Sequence, residues 1–327
     1  MIIASTPLRI SFFGGGSDLP AFTSKEDGAT LAVTIDKYVH VIVSPNNKEL
    51  RFIHENVSDL STMRNPIASE FFKENNVTKG FDVVSLSDVP SIGSGLGGSS
   101  AFTISLIRAF TPYFLSNEKV AQLASEIEID KCQYPIGVQD QYAIAHGGMH
   151  LFKIKHNPRE ATVQTSFNLS SHSIQELQNR LILIYSGISR FSTSGMILQD
   201  QQKEMNTNVA KFEMIRRIRD RAYTATGLLN NGDLAGFGEL LHENWMDKKQ
   251  LTVSLSNPEF DSLYDFALKN GAIGGKLLGA GGGGFFLFYV PSPHIKKTLS
   301  HKLTFEFPNS KEYPFKFVGN TTKITRI

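Results

Sequence analysis

The densest chemical signal lies between Asp88 and Ala101, which reads Asp-Val-Pro-Ser-Ile-Gly-Ser-Gly-Leu-Gly-Gly-Ser-Ser-Ala. A glycine-rich turn feeding a helix presents unpaired N–H groups and the positive end of the helix dipole, which together bind phosphate. Pro90, Gly93, Ser94, Gly95, Leu96, Gly97, Gly98, Ser99 and Ser100 are therefore the candidate phosphate-cradling residues. The two serine hydroxyls can cap the helix, touch phosphate or ligate Mg²⁺. Gly93, Gly95 and Gly98 also fit G-x-G-x-x-G, with Glu118 as the acid expected about 20 positions on. Glu118, however, opens a helix at Ser116-Asn117-Glu118 instead of ending a strand. No G-x-x-x-x-G-K-[ST] occurs, because Leu277 follows Gly275-Lys276 and Asn270 takes the first glycine's place.

Phosphoryl transfer to a hydroxyl needs a carboxylate near the attacking oxygen and a metal on the phosphates. Asp140 sits in Pro-Ile-Gly-Val-Gln-Asp-Gln, residues 135 to 141, flanked by two glutamines. Glu128 lies twelve positions upstream at a helix end, with Glu126 and Asp130 as rival ligands. Near the start, Pro-Leu-Arg-Ile-Ser-Phe-Phe-Gly-Gly-Gly-Ser-Asp covers residues 7 to 18. Arg9 is a permanent cation on an apolar strand and needs an anionic partner, either Asp140 or a phosphate. Asp18 follows three glycines and can accept hydrogen bonds from vicinal sugar hydroxyls. A third glycine cluster runs from Gly274 to Gly284.

The elements that must position these groups are legible as patterns. Leu8, Ile10 and Phe12 alternate as a strand, and so do Val39, Val41 and Val43 up to the Pro45-Asn46-Asn47 turn. Phe81 to Leu86, Met149 to Ile154, Leu181 to Tyr185 and Phe285 to Val290 read as further strands. A helix begins near Ser99 or Ser100 and carries Phe102, Leu106, Ala109 and Phe110 on one face. Val120, Leu123, Ala124 and Ile127 mark a second, which stops before Tyr134-Pro135. Met205, Val209, Phe212, Ile215, Ile218, Ala222 and Ala225 predict one long helix, and Leu234 to Lys248 and Glu259 to Lys269 predict two shorter ones. Without a regular βαβ beat, the order fits α+β.

The 327 residues suggest two domains at roughly 150 residues each. The polar stretch 156 to 175 places the division between residues 1–172 and 173–327. Lys plus Arg of 33 against Asp plus Glu of 31 gives a charge of +2, which argues against a nucleic-acid partner. Cys132 is the single cysteine, so neither an internal disulfide nor a multi-cysteine zinc site can form. No apolar run spans a bilayer and the start lacks a secretory signal, so a reduced, cytoplasmic protein without a membrane partner is expected. His146 and His150 straddle Gly147-Gly148 and do not make a helical zinc pair. Arg216, Arg217, Arg219 and Arg221 alternate with acids as a solvated helix face. Trp245 reads as core, and Cys132 as an inert thiol.

Taken together, the three clusters resemble the three motifs of the GHMP kinases, at residues 7 to 18, 90 to 101 and 276 to 284. Within that family, RISFFGGGSDLPAF and PIGVQDQYA look most like the bacterial kinases of D-glycero-D-manno-heptose 7-phosphate in GDP-heptose synthesis. The resemblance implies a two-domain α+β fold with the site in the interdomain cleft, and ATP and Mg²⁺ as cofactors. It implies that Asp140 and Arg9 are catalytic, that Ser99 (with Ser100 as fallback) and Glu128 ligate the metal, and that Asp18 grips sugar hydroxyls. It places residues 93 to 98 around the ATP phosphates and the third cluster, with Gly281 and Gly282, over substrate. Galactokinase-like members carry Glu-His where this chain has Gly15-Gly16, which implies room for a larger or phosphorylated sugar. Arg190, Lys248, Lys249 and Lys276 are the cations available for a sugar phosphate. The competing readings are another sugar acceptor such as fucose or a hexose, a nicotinamide-dependent oxidoreductase, and a non-catalytic sugar-nucleotide sensor. The oligomeric state stays open.

Overall fold

Strand β1 (Ile2–Phe13) forms because Leu8, Ile10 and Phe12 alternate into a core where each is fully buried. The intervening Arg9 and Ser11 are buried as well, at 3% and 5% exposure, so little of the polar face around them reaches water. A computed structural model describes the chain except residues 47, 53–54, 57–58, 91–92, 112, 156–160, 165–169, 189–192 and 254.

After β1 come α1 (Pro20–Thr23), β2 (Gly28–Pro45), β3 (Arg51–Phe52), β4 (Glu55–Asn56), α2 (Pro66–Glu74) and β5 (Phe81–Ser87). The next stretch supplies α3 (Gly98–Phe110), α4 (Asn117–Ser125), α5 (Gln139–His146), β6 (Met149–Ile154) and β7 (Ala161–Gln164). The rest is α6 (Ser171–Asn179), β8 (Leu181–Tyr185), α7 (Ser194–Thr207), α8 (Val209–Asn230), α9 (Leu234–Lys248), α10 (Pro258–Lys269), β9 (Gly274–Leu277), β10 (Phe285–Tyr289), α11 (Pro293–Glu306), β11 (Lys311–Glu312) and β12 (Lys323–Arg326). One sheet runs β12-β1-β2-β5-β3-β4, with β6 and β7 attached through β2. A second runs β11-β8-β10-β9, antiparallel throughout. The last strand pairs with the first, Ile2 opposite Arg326, so the two ends of the chain share one sheet.

Packing is distributed over three apolar clusters. The largest lies beneath the first sheet and α3 to α5. The second joins Trp245, Phe260, Tyr264, Phe286 and Phe288 on the second sheet, and Trp245 is core as expected. The third ties α1 to α7 and α8 through Phe22, Ile197, Phe212 and Ile215. Among the described residues no helix is long and apolar enough to cross a membrane.

Two helix expectations need correction. The single long helix from Met205 is two helices, broken at Asn208. Asn208 adopts an extended backbone (φ −133°, ψ 109°) and its side chain accepts from Ala210 N at 3.0 Å. The asparagine thus competes with the helix for a backbone donor and caps a new one. Val209, counted as apolar face, is 77% exposed. The second concerns only the last turn of α4: the helical run stops before Tyr134-Pro135 as expected, but it ends in a wide π turn over Glu126–Lys131. Such a turn rotates the register, and Ile127, Glu128 and Ile129 are all buried in succession.

The basic run on α8 is consumed in ion pairs. Glu26 takes Arg216 and Arg219, and Asp247 takes Arg217 and Arg221. His146 ends α5 while His150 lies on β6, so the two are not a helical pair. Burial pushes the Cys132 thiol up to about 11, which keeps it protonated and unreactive.

Candidate active site

The three glycine clusters meet at one cleft of about 480 Å³. Glycine is required at the seam. Gly95 has φ +77°, and a Cβ there would stand 2.6 Å from Leu278 O; one on Gly279 would stand 2.5 Å from Gly95 Cα. The second and third clusters therefore touch backbone to backbone. The first joins them through Arg9, whose N–H donates to Leu96 O at 3.0 Å and whose Nη1 donates to Gly95 O at 2.6 Å. Gly97, at φ 77°, is the N-cap of α3, so the first turn of that helix opens at the cleft.

Asp140, in the first turn of α5, faces the same point. Arg9 Nε donates to Asp140 Oδ1 at 2.8 Å and Nη2 to Oδ2 at 2.7 Å, a two-pronged ion pair. The Arg9 side chain is 4% exposed and that of Asp140 is 29%, so the carboxylate keeps an open face toward the cleft. Such a pair fixes the carboxylate's plane as well as its charge.

Asp18 also lines the cleft, and its oxygens accept from Gly16 N (3.1 Å) and Gln139 N (3.2 Å). Burial, and then the charge of Asp140, hold its carboxyl above the ordinary range. Gly137 lies directly against it, since a Cβ there would stand 2.3 Å from Asp18 Oδ2. Gly15 and Gly16 line the same wall.

Glu128 is fully buried, and its oxygens accept from Ser100 Oγ (2.7 Å), Thr103 Oγ1 (2.9 Å) and Gln141 Nε2. Burial pushes its carboxyl up to about 7 despite those three donors. Ser99, by contrast, is exposed at the cleft mouth, so the serine that meets Glu128 is Ser100. Glu126 and Asp130, the rival acids, are exposed.

Other sequence candidates fall elsewhere. Gly281 and Gly282 pack against Leu255, and the third cluster lines the cleft through Gly279 and Ala280. Arg190 lies outside the described residues. Lys249 pairs with Asp261 on the surface. Lys276 is buried, with Nζ donating to Ser11 O (2.9 Å) and Phe12 O (2.8 Å), and burial holds its pKa well below the usual lysine value. Lys248 is buried and does line the cleft. Sequence reasoning missed Tyr134, Thr193, Ser194, Gly195 and Gln201, which line the same cleft. Thr193 caps α7, accepting from Met196 N at 3.3 Å, and Thr-Ser-Gly ahead of an apolar residue was the available signal. Gln201, in mid-helix, carried none.

Residues 63–148 match the GHMP kinases N terminal domain and residues 225–309 the GHMP kinases C terminal domain. The chain is 30% identical to the D-glycero-alpha-D-manno-heptose 7-phosphate kinase of Campylobacter jejuni, over 96% of each chain. The chain belongs to the GHMP kinase family. Its relatives include the bifunctional fucokinase/GDP-fucose pyrophosphorylase of Arabidopsis thaliana, 24% identical over 91% of this chain and 30% of that protein. The fold matches a D-glycero-D-manno-heptose 1-phosphate kinase from Bacteriodes thetaiotaomicron with a TM-score of 0.78, at 24% identity over 100% of this chain and 99% of that one. This kinase is thus an ATP-dependent phosphotransferase of α+β architecture.

The metal that accompanies ATP in such chemistry can be tested against the donors. Among the described residues no cluster of three or more His, Cys, Asp or Glu side chains surrounds one point. The Glu128 carboxylate, the Ser100 and Thr103 hydroxyls and the buried Gln141 Oε1, which has no hydrogen-bond partner among the described residues, all offer oxygen lone pairs. These oxygens are the donor type that a hard cation such as Mg²⁺ takes, but all four side chains are fully buried and none is among the residues lining the cleft.

Proposed function

We propose that this kinase transfers the γ-phosphoryl group of ATP to the anomeric hydroxyl of D-glycero-D-manno-heptose 7-phosphate, giving the 1,7-bisphosphate. One observation carries the reading of the chemistry: the Arg9–Asp140 pair is seated on the Gly95 carbonyl, which puts one open carboxylate beside the phosphate turn. The choice of sugar rests on the similarity to the Campylobacter jejuni protein along nearly the whole chain. Gly15 on the cleft wall is compatible with it, since a Cβ there would meet nothing closer than Gln139 Oε1 at 3.6 Å, whereas Gly16 is held by its φ of +101° and by Ile215.

In the mechanism Asp140 accepts a hydrogen bond from the anomeric hydroxyl and aims its oxygen. Both carboxylate oxygens already accept from Arg9, so Asp140 acts by orientation and by receiving a proton late, not as a strong base. Asp18 accepts from neighbouring sugar hydroxyls with the lone pairs its two backbone donors leave free. The amides of residues 93 to 100 hold the triphosphate at the opening of α3. Ser100 and Glu128, with Gln141 beside them, would hold Mg²⁺, which supplies charge neutralisation on the phosphates. The loose transition state makes positioning and electrostatics the main sources of acceleration.

A panel of sugars and sugar phosphates in an ADP-release assay tests this, with phosphorus NMR locating the new ester. Turnover of the heptose 7-phosphate with a new anomeric phosphate is expected. Turnover confined to fucose or another hexose refutes the choice of acceptor, and NADH binding without ATP binding refutes the kinase chemistry.

A further inference from the structure

Arg9 is the cation that the sequence offers to the transferring phosphoryl group, yet three of its five N–H donors are committed and its charge is paired with Asp140. Nε and Nη2 go to Asp140 and Nη1 goes to Gly95 O. A second, less constrained cation faces the same cleft from α9. Lys248 closes α9, is 5% exposed, and lines the cleft. Among the described residues its single hydrogen bond runs from Nζ to Gly279 O, at 2.5 Å. An ammonium carries three donors, so two remain. Gly279 is the residue whose backbone abuts Gly95, so the amine is tethered at the seam of the two phosphate-side clusters.

We propose that the Lys248 ammonium binds the transferring γ-phosphoryl group of ATP, making the cationic contact that Arg9, locked onto Asp140, leaves open. The assignment rests on the kinase reading above and deepens it. In the step itself the anomeric oxygen bonds to the γ-phosphorus and the bond to the β,γ-bridging oxygen breaks, releasing ADP. The hydroxyl proton passes to Asp140 and on to water, and Lys248 keeps its own protons. A buried ammonium with two open donors is costly unless an anion arrives, and the phosphoryl oxygens are that anion.

The charge environment agrees with this role. Burial, then the nearby Arg9, lowers the Lys248 pKa to about 8, while Asp18 and Asp140 work in the other direction. The groups facing it are Arg9 from β1, Asp18 from the following turn, Asp140 from α5 and Lys276 from β9. Below about pH 8 the free enzyme holds the charged form, and above it the contact is lost.

The test compares wild type with K248M, K248Q and K248R, each checked by circular dichroism for the native fold. Calorimetry with Mg²⁺ uses ADP and the non-hydrolysable AMPPNP, which differ by the γ-phosphoryl group. AMPPNP is expected to bind K248M and K248Q about tenfold more weakly while ADP affinity holds, and K248R restores most of the difference. Turnover of whichever sugar is accepted falls about 100-fold with the acceptor KM retained. The alkaline limb of kcat/KM for ATP, near pH 8 in wild type, moves upward in K248R. An unchanged AMPPNP-to-ADP affinity ratio in folded K248M and K248Q overturns the proposal. So does a loss that appears only as a raised acceptor KM, since Lys248 would then hold a phosphate of the sugar. The nucleotide measurements need no acceptor, so they stand or fall separately from the choice of heptose.

Discussion

Replacing Asp140 with asparagine separates its two roles, in catalysis and in stability, because the change keeps shape and removes charge. In the native protein Arg9 reaches both oxygens of Asp140 at 2.8 and 2.7 Å, with the arginine 4% and the aspartate 29% exposed. Asparagine offers one acceptor oxygen and turns an N–H₂ group toward the other arginine donor. Breaking a buried pair by removing one partner costs about 3–5 kcal/mol. Water can reach the exposed part of this pair and one hydrogen bond survives, so about 2 kcal/mol is expected here. For a chain of this size that lowers Tm by about 3 °C. Turnover is expected to fall about 10³-fold, the range for a positioned acid or base. ATP affinity holds or improves slightly, since a negative charge near the γ-phosphate has gone. The Asp18 carboxyl, which Asp140 helps to push up, falls back toward its usual range. Steady-state ADP release, AMPPNP calorimetry and a thermal melt read the three effects. A double-mutant cycle with Arg9→Met adds the decisive comparison: the double variant should be no less stable than Asp140→Asn alone, because no buried cation is left unpaired. Turnover at the wild-type level, or strictly additive stability losses, would refute the reasoning.

Ser100→Ala should raise the Mg²⁺ concentration needed for half-maximal activity, because its hydroxyl meets Glu128, while Ser99→Ala should shift it less; a titration of each variant decides between them. Gly137→Ala would set a Cβ 2.3 Å from both Asp18 O and Asp18 Oδ2, so the backbone bearing Asp18 must shift: a thermal melt should show lost stability, and kinetics a raised sugar KM with AMPPNP binding retained by calorimetry. Lys248 titrates near 8 when folded and at 10.5 when free, so in that window the unfolded chain binds the extra proton and stability rises with pH. Urea midpoints at pH 7.5 and 9.5 should therefore rise less steeply in K248M than in wild type; an identical rise would contradict the burial of its charge.

The amino-acid sequence by itself carried the parts of this site that depend on residue type. Glycines that must approach backbone closely are visible as glycines, and all three clusters do converge. An arginine on an apolar strand demands an anion whatever the fold, and Asp140 was one of the two partners that demand allowed. The family motifs, α+β character and the six longest of the twelve described strands were legible because side-chain period and turn residues are local properties. Only the tertiary structure decided which of several like residues faces inward. Glu128 is picked out from Glu126 and Asp130 by a π turn that no periodicity announces. Ser100 is preferred to Ser99 as the neighbour of Glu128 by which side of α3 each occupies, and Lys248 is chosen over Lys249 by one step around α9. The break at Asn208, the return of residues 323 to 326 to the first strand, and the arrival of Thr193 to Gly195 at the cleft all depend on distant segments. A linear pattern reports which side of an element is apolar; what finally covers that side, and so which charge is stripped of water, is a property of the folded whole.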